Sequence, residues 1–156
     1  MKNQTCCFTG HRSIPLSERR KIQKRLEAEV VRLILGGVRY FAAGGALGFD
    51  TLAALTILHL KKTYPNIYLI LVLPCKEQTR NWPDKDKKIY NQILSKADKV
   101  TYTSEHYYDG CMQKRNRHLI DNSGFCVCYL TKSTGGTAYT VDYAKKHGLR
   151  IINLAD

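Results

Sequence analysis

Apolar positions follow two rhythms that alternate along the whole chain. Short runs rich in apolar residues recur at 5–9, 38–43, 67–73, 99–103, 125–130 and 150–154. Such runs read as buried strands. Stretches of helical period lie between them. Across 16–35, Ile22, Leu26, Val30 and Leu33 recur at steps of four, four and three, with Arg and Glu opposite. That spacing lines one face of an amphipathic helix. Ser13-Ile14-Pro15 supplies its start and Gly36-Gly37 its stop. Further helices are predicted over 50–64, stopped by Pro65, and from Pro83 or Asp84 through Ile89, Ile93 and Leu94. Two more follow over 112–121 and 137–147, the last with Gly148 as its C-cap.

Strands alternating with helices of this length make βαβ units. The crossovers are right-handed, which puts helices on both faces. The expected fold class is therefore α/β, Rossmann-like and doubly wound, with a mostly parallel sheet. At 156 residues the chain matches one domain, over 1–156. Ligands of such sheets bind beyond the carboxyl ends of the strands.

Four predicted strand ends carry unusual residues. Thr9-Gly10-His11-Arg12 follows the first strand and Gly44-Gly45-Ala46-Leu47-Gly48-Phe49-Asp50 the second. Pro74 follows the third, then Gln78, Arg80 and Trp82; Ser133-Thr134-Gly135-Gly136-Thr137 follows the fifth. Glycines let a backbone approach a ligand closely, and a following helix offers free N–H groups and a positive dipole end. That pairing binds phosphate. The competing reading is a tight turn, with Asp50 capping its helix. Two such loops in one sheet favour anion binding over either alone. Gly45→Glu is then expected to abolish binding and leave the fold intact.

His11 and Arg12 are candidate ligand contacts, or a satisfied loop pair. Arg115 and Arg117 form a guanidinium fork for phosphate, or an exposed basic face. Trp82 stacks on a base or anchors its loop. Thr137 caps its helix or donates to a phosphate. The dinucleotide fingerprint and the Walker motif are both absent, which disfavours redox NAD chemistry and P-loop hydrolysis.

Composition narrows the classes further. No apolar run approaches membrane-spanning length, and the amino terminus has no secretory pattern, so a cytoplasmic protein is expected. The six cysteines form no C-x-x-C and read as buried free thiols; no metal site or cofactor is expected. The net charge of +12 attracts nucleic acid, anionic surfaces or phosphorylated ligands without choosing among them.

Together, Phe8-Thr9-Gly10-His11-Arg12, the Gly44–Asp50 loop, Gln78 to Trp82, Arg115-Asn116-Arg117 and Gly135-Gly136-Thr137 resemble the SLOG superfamily, in its YpsA-type branch. The likeness spans nearly the whole chain. It implies a Rossmann-like fold and a pocket lined by the glycine loops. It also implies a nucleotide-derived ligand such as an ADP-ribose-like molecule, and a sensor or regulatory role linked to bacterial cell division. The implied site is Gly10, His11, Arg12, Gly44, Gly45, Gly48, Asp50, Trp82, Arg115, Arg117, Gly135, Gly136 and Thr137. Two relatives supply rival functions. The LOG phosphoribohydrolases carry a glutamate where this chain has Thr140, which weighs against hydrolysis because threonine supplies neither charge nor base. The DprA branch binds single-stranded DNA, which makes nucleic acid an alternative partner. Self-association is open.

Overall fold

A computed structural model describes residues 2–156. Six strands and five helices alternate in the order expected. They are β1 (Thr5–Gly10), α1 (Leu16–Leu35), β2 (Tyr40–Ala43), α2 (Phe49–Leu60), β3 (Tyr68–Leu73) and α3 (Asp84–Lys96). Then come β4 (Lys99–Tyr102), α4 (Cys111–Asp121), β5 (Phe125–Tyr129), α5 (Gly136–Lys146) and β6 (Arg150–Asn153). All neighbouring strands pair in parallel, in the order β4-β3-β2-β1-β5-β6. This is the Rossmann-like α/β fold the periodicity implied.

The strand order reverses at β1. From there the chain winds outward through β2, β3 and β4. It then returns across the sheet to β5 and continues outward to β6. The crevice at the β1–β5 junction is the switch point where doubly wound sheets hold ligands.

Strand parity divides the core into two layers. Cys6, Phe8, Phe41, Leu69, Leu71, Val127 and Tyr129 pack under α1, α2 and α3. Cys7, Ala42, Val72, Cys126 and Cys128 pack under α4 and α5. Alternate residues of one strand face opposite sides, so a strand buried on both faces reads as continuous apolar sequence. α1 contributes Ile22, Leu26, Val30 and Leu33, the four positions picked out by its period. α2 is apolar nearly all round because it touches the sheet and both α1 and α3.

Boundaries differ by a few residues. α2 ends at Leu60, not at Tyr64, because Lys62 and Thr63 donate to carbonyls three residues back and tighten the last turn. In α5, Gly148 lies one residue past the His147 C-cap, in the left-handed conformation, with φ of 79°. All six cysteines are buried free thiols. Burial pushes Cys6 well up and Cys128 to about 12, so both stay protonated. Among the described residues no helix is long and apolar enough to cross a membrane.

Candidate functional site

A cavity of about 430 Å³ opens at the β1–β5 junction. Its lining comes from four strand-end segments. β1 leads to Gly10, His11 and Arg12; the β2 loop and α2 supply Ala46 and Asp50; α4 supplies Met112, Gln113, Arg115 and Asn116; the β5 loop supplies Lys132 and Thr134 through Thr137. A larger hollow of about 560 Å³ lies at the other end of the sheet, around Gly124 and Gly148. It carries Lys2, Asp121 and Arg150 but no glycine-opened helix start.

Asp50 is 6 % exposed, in the first turn of α2, and accepts from the Ala46 N–H at 3.3 Å. Burial raises its carboxyl to about 6, against the opposing pull of Arg115, the Ala46 N–H, Arg12 and the Gly44 N–H. Arg115 is 4 % exposed. It donates to the Gly44 carbonyl, and through Nε to Asn116 Oδ1 at 2.8 Å. Burial lowers its value and the Asp50 charge opposes that. A buried acid and a buried guanidinium thus face one cavity.

The glycines divide by use. A Cβ on Gly10 would meet the Phe49 ring at 2.5 Å, and one on Gly44 would meet the Arg115 guanidinium at 2.5 Å. Gly48, at φ 75°, would bring a Cβ within 2.2 Å of the Arg12 carbonyl oxygen. These three glycines allow close packing, Gly10 against α2, Gly44 against α4 and Gly48 against the loop after β1. Gly135 and Gly136 differ: nothing lies within 4 Å of a Cβ on either. They open α5, which has no side-chain cap. Its first N–H groups are therefore available to an anion.

His11 joins the two sides of the crevice. Its Nε2 accepts from the Thr131 N–H at 2.9 Å, and its ring meets Tyr129 edge-on at 5.6 Å. Burial, then Lys132, pulls its value below the usual range, so the ring is a neutral acceptor at pH 7.

Five expected site residues do not line the cavity: Gly44 and Gly48, which serve packing, and Arg117, Trp82 and Gly45. Arg117 is two residues beyond Arg115, so α4 turns it to another face, and its charge acts on Tyr143 of α5. Trp82 packs edge-on against Tyr90 at 5.4 Å. Gly45, at φ 71°, faces Leu73, Tyr90 and Gln78; a Cβ there would lie 2.6 Å from Leu73. Gly45→Glu therefore disturbs the fold, so it is no clean test of the cavity. Sequence reading passed over Lys132, Gln113 and Asn116. Lys132 follows a strand and was within reach of the strand-end rule. Thr140 donates back to the Gly136 carbonyl at 2.9 Å and is 1 % exposed, inside α5. Among the described residues no cluster of three or more His, Cys, Asp or Glu is placed to hold a metal.

Fold and crevice define a doubly wound α/β protein with a polar cavity at its switch point. A family model described as the YspA SLOG family matches residues 6–152, and the chain belongs to that YpsA family. A UPF0398 protein of Halalkalibacterium halodurans is 35% identical over 80% of this chain and 68% of its own. The SPbeta prophage-derived protein YoqJ of Bacillus subtilis is 34% identical over 81% of each. Among solved structures, DNA processing protein A of Helicobacter pylori, described by its single-stranded DNA binding mode, superposes with a TM-score of 0.69 at 19% identity. The match covers 96% of this chain and 64% of that one. DprA of Streptococcus pneumoniae superposes at 0.67 with 16% identity, over 94% of this chain and 48% of that one. This chain thus spans about two thirds and about half of those two proteins.

Proposed function

We propose that this protein binds a phosphate-bearing nucleotide derivative, ADP-ribose-like in class, at the β1–β5 crevice, in a regulatory role. One observation carries the reading: the uncapped, glycine-lined start of α5 shares a cavity with Arg12, Arg115 and Lys132. Helix N–H groups and guanidinium forks both favour phosphate oxygens. Asp50, buried beside them, accepts from a ribose hydroxyl. Thr140 sits where the related phosphoribohydrolases carry a carboxylate and is occupied within α5, which favours binding over turnover.

The test is calorimetric titration with ADP, ADP-ribose and NAD, using Gly136→Glu as the control. Gly136 has open space around it and no positive φ, so the variant keeps its fold while placing a carboxylate where the phosphate would sit. Binding by wild type and its loss in the variant are expected. Equal affinity in both rejects the cavity.

A second reading is single-stranded nucleic acid. It is favoured by the likeness to the Helicobacter pylori protein and by exposed tyrosines in the β4–α4 loop, Tyr107 and Tyr108, and in the first turn of α5, Tyr139. Bases stack on such rings while basic groups follow the backbone.

A further inference from the structure

Among the described residues Asp50 is the only buried acid, and it forms no contact ion pair. The half-exposed or exposed Glu29, Glu77, Asp98 and Asp142 each pair with a base. The guanidinium that shares the cavity with Asp50 is engaged elsewhere. Arg115 donates to the Gly44 carbonyl, to Asn116 Oδ1 at 2.8 Å and to Met112 Sδ at 3.9 Å. What holds the Asp50 carboxylate is backbone, the Ala46 N–H at a long 3.3 Å and the Gly44 N–H. A buried charge with no partner in contact is costly, so such a group takes a counter-ion or a proton.

The surroundings favour the proton. Three cations line the same cavity: Arg12 after β1, Arg115 on α4 and Lys132 after β5. They repel a metal ion, and among the described residues no cluster of three or more His, Cys, Asp or Glu gathers around Asp50 to hold one. His11 completes the titratable groups of the lining, and its ring is a neutral acceptor for the Thr131 N–H. Cys111 and Tyr90 act on Arg115 from its other side, and burial keeps the Tyr90 phenol protonated. Burial lifts the Asp50 carboxyl to about 6, so at pH 7 the free protein still carries most of that charge. Arg12 and Arg115 are the cations that steady it. A phosphate entering the same cavity of about 430 Å³ draws on these two groups and sets a second anion beside the first. A like charge nearby disfavours the ionised form of a carboxyl.

We propose that the crevice binds its phosphate-bearing ligand together with a proton from solvent, which Asp50 receives. The inference rests on the nucleotide reading above. Ionised, Asp50 repels the incoming anion and competes with it for Arg12 and Arg115. Protonated, it no longer repels, and its O–H is a donor for a phosphate oxygen. Linkage is reciprocal: an anion that favours the protonated carboxyl is itself favoured by the proton, by the same factor. Affinity therefore rises as pH falls from 8, and levels off where the free protein is already protonated at Asp50. Ligand concentration and acidity then act on one site.

The experiment is calorimetric titration of wild type, Asp50→Asn and His11→Asn with ADP-ribose, from about pH 6 to about pH 8, in paired buffers of different ionisation heat. Each phosphate of ADP-ribose keeps one negative charge over this range, so the probe itself does not titrate. Wild type is expected to bind about tenfold more tightly at the acid end. It is also expected to take up a proton, seen as a binding heat that changes with the buffer. Asp50→Asn is expected to bind near pH 8 about as tightly as wild type near pH 6, with no slope and no uptake. His11→Asn is expected to keep both. Wild-type affinity and heat independent of pH and buffer overturn the proposal. So does a slope that survives in Asp50→Asn, or an uptake lost in His11→Asn while binding persists, since either gives the proton to another group. Asparagine keeps an acceptor for the Ala46 N–H, so the Asp50→Asn urea midpoint at pH 7 is expected to match or exceed wild type; a lower one marks the carboxylate as paired and also overturns the assignment. A wild type that binds ADP-ribose at no pH overturns the nucleotide reading itself.

Discussion

Asp50 owes its character to its place. Its carboxyl rises from 3.8 to about 6 because the fold removes it from water faster than Arg115, Arg12 and two N–H groups compensate. Below pH 4 the folded and unfolded chains both hold the proton. Above pH 6 the folded chain carries the cost of a buried charge. This residue therefore makes stability fall as pH climbs from 4 to 6, by on the order of 3 kcal/mol. Glu77, held near 2 by His106, and Asp98, held down chiefly by Lys61 and the Leu69 N–H against its own burial, slope the other way below that window. Urea midpoints of wild type and Asp50→Asn, taken from pH 4 to 7, separate the effects. The variant is expected to lack the decline, and parallel profiles reject the buried charge. The resemblance already put Asp50 and Arg115 in one site, but the burial that shifts them was not legible in the sequence, because it depends on the sheet order that packs α2 and α4 around the crevice.

At the scale of elements, helical period decides which basic residues face the cavity. Arg115 and Arg117 sit about 200° apart around α4, so the two do not act as one fork. Arg115→Gln is expected to weaken nucleotide binding tenfold or more, by about 1.4 kcal/mol or greater. Arg117→Gln is expected to leave it unchanged. Equal losses in the two variants would mean that α4 presents its other face. The β2–α2 joint gives a prediction in stability. Gly48 and Gly37 both have positive φ, but only Gly48 faces backbone, the Arg12 carbonyl at 2.2 Å. Gly37→Ala should cost about 1 kcal/mol of conformational strain. Gly48→Ala adds a collision with main chain and should cost several times more, read as the shift in urea midpoint. The same glycine pattern was visible in sequence, yet its meaning was not. Gly10, Gly44, Gly45 and Gly48 serve packing, and of the glycines expected in the site only the two that open α5 are clear of neighbours.

For the whole molecule, the charge of +12 leaves one question that ionic strength answers. If nucleic acid is the partner, affinity for single-stranded DNA falls steeply with salt, with a slope of about −0.7 per phosphate neutralised. If a nucleotide is the partner, titrations from 50 to 300 mM salt show a far shallower slope, because few phosphates are engaged. The architecture itself was largely legible. Alternating periods fixed six strands, five helices and a parallel sheet, since those patterns are local. The order of strands was not, since nothing local in β4 or α4 states that the chain turns back across the sheet to place β5 beside β1.

That return has a consequence for synthesis. A ribosome releases β1 through β4 first, and they pair outward in sequence, leaving β1 with one open edge. Half of the crevice, from Gly10 to Asp50, exists by then. Arg115, Lys132 and the start of α5 arrive only with the final third of the chain. A molecule interrupted before Gly136 holds five of the six strands and lacks the open start of α5, to which the proposed ligand would bind. The lining of the crevice is therefore complete only in chains whose last crossover has been made.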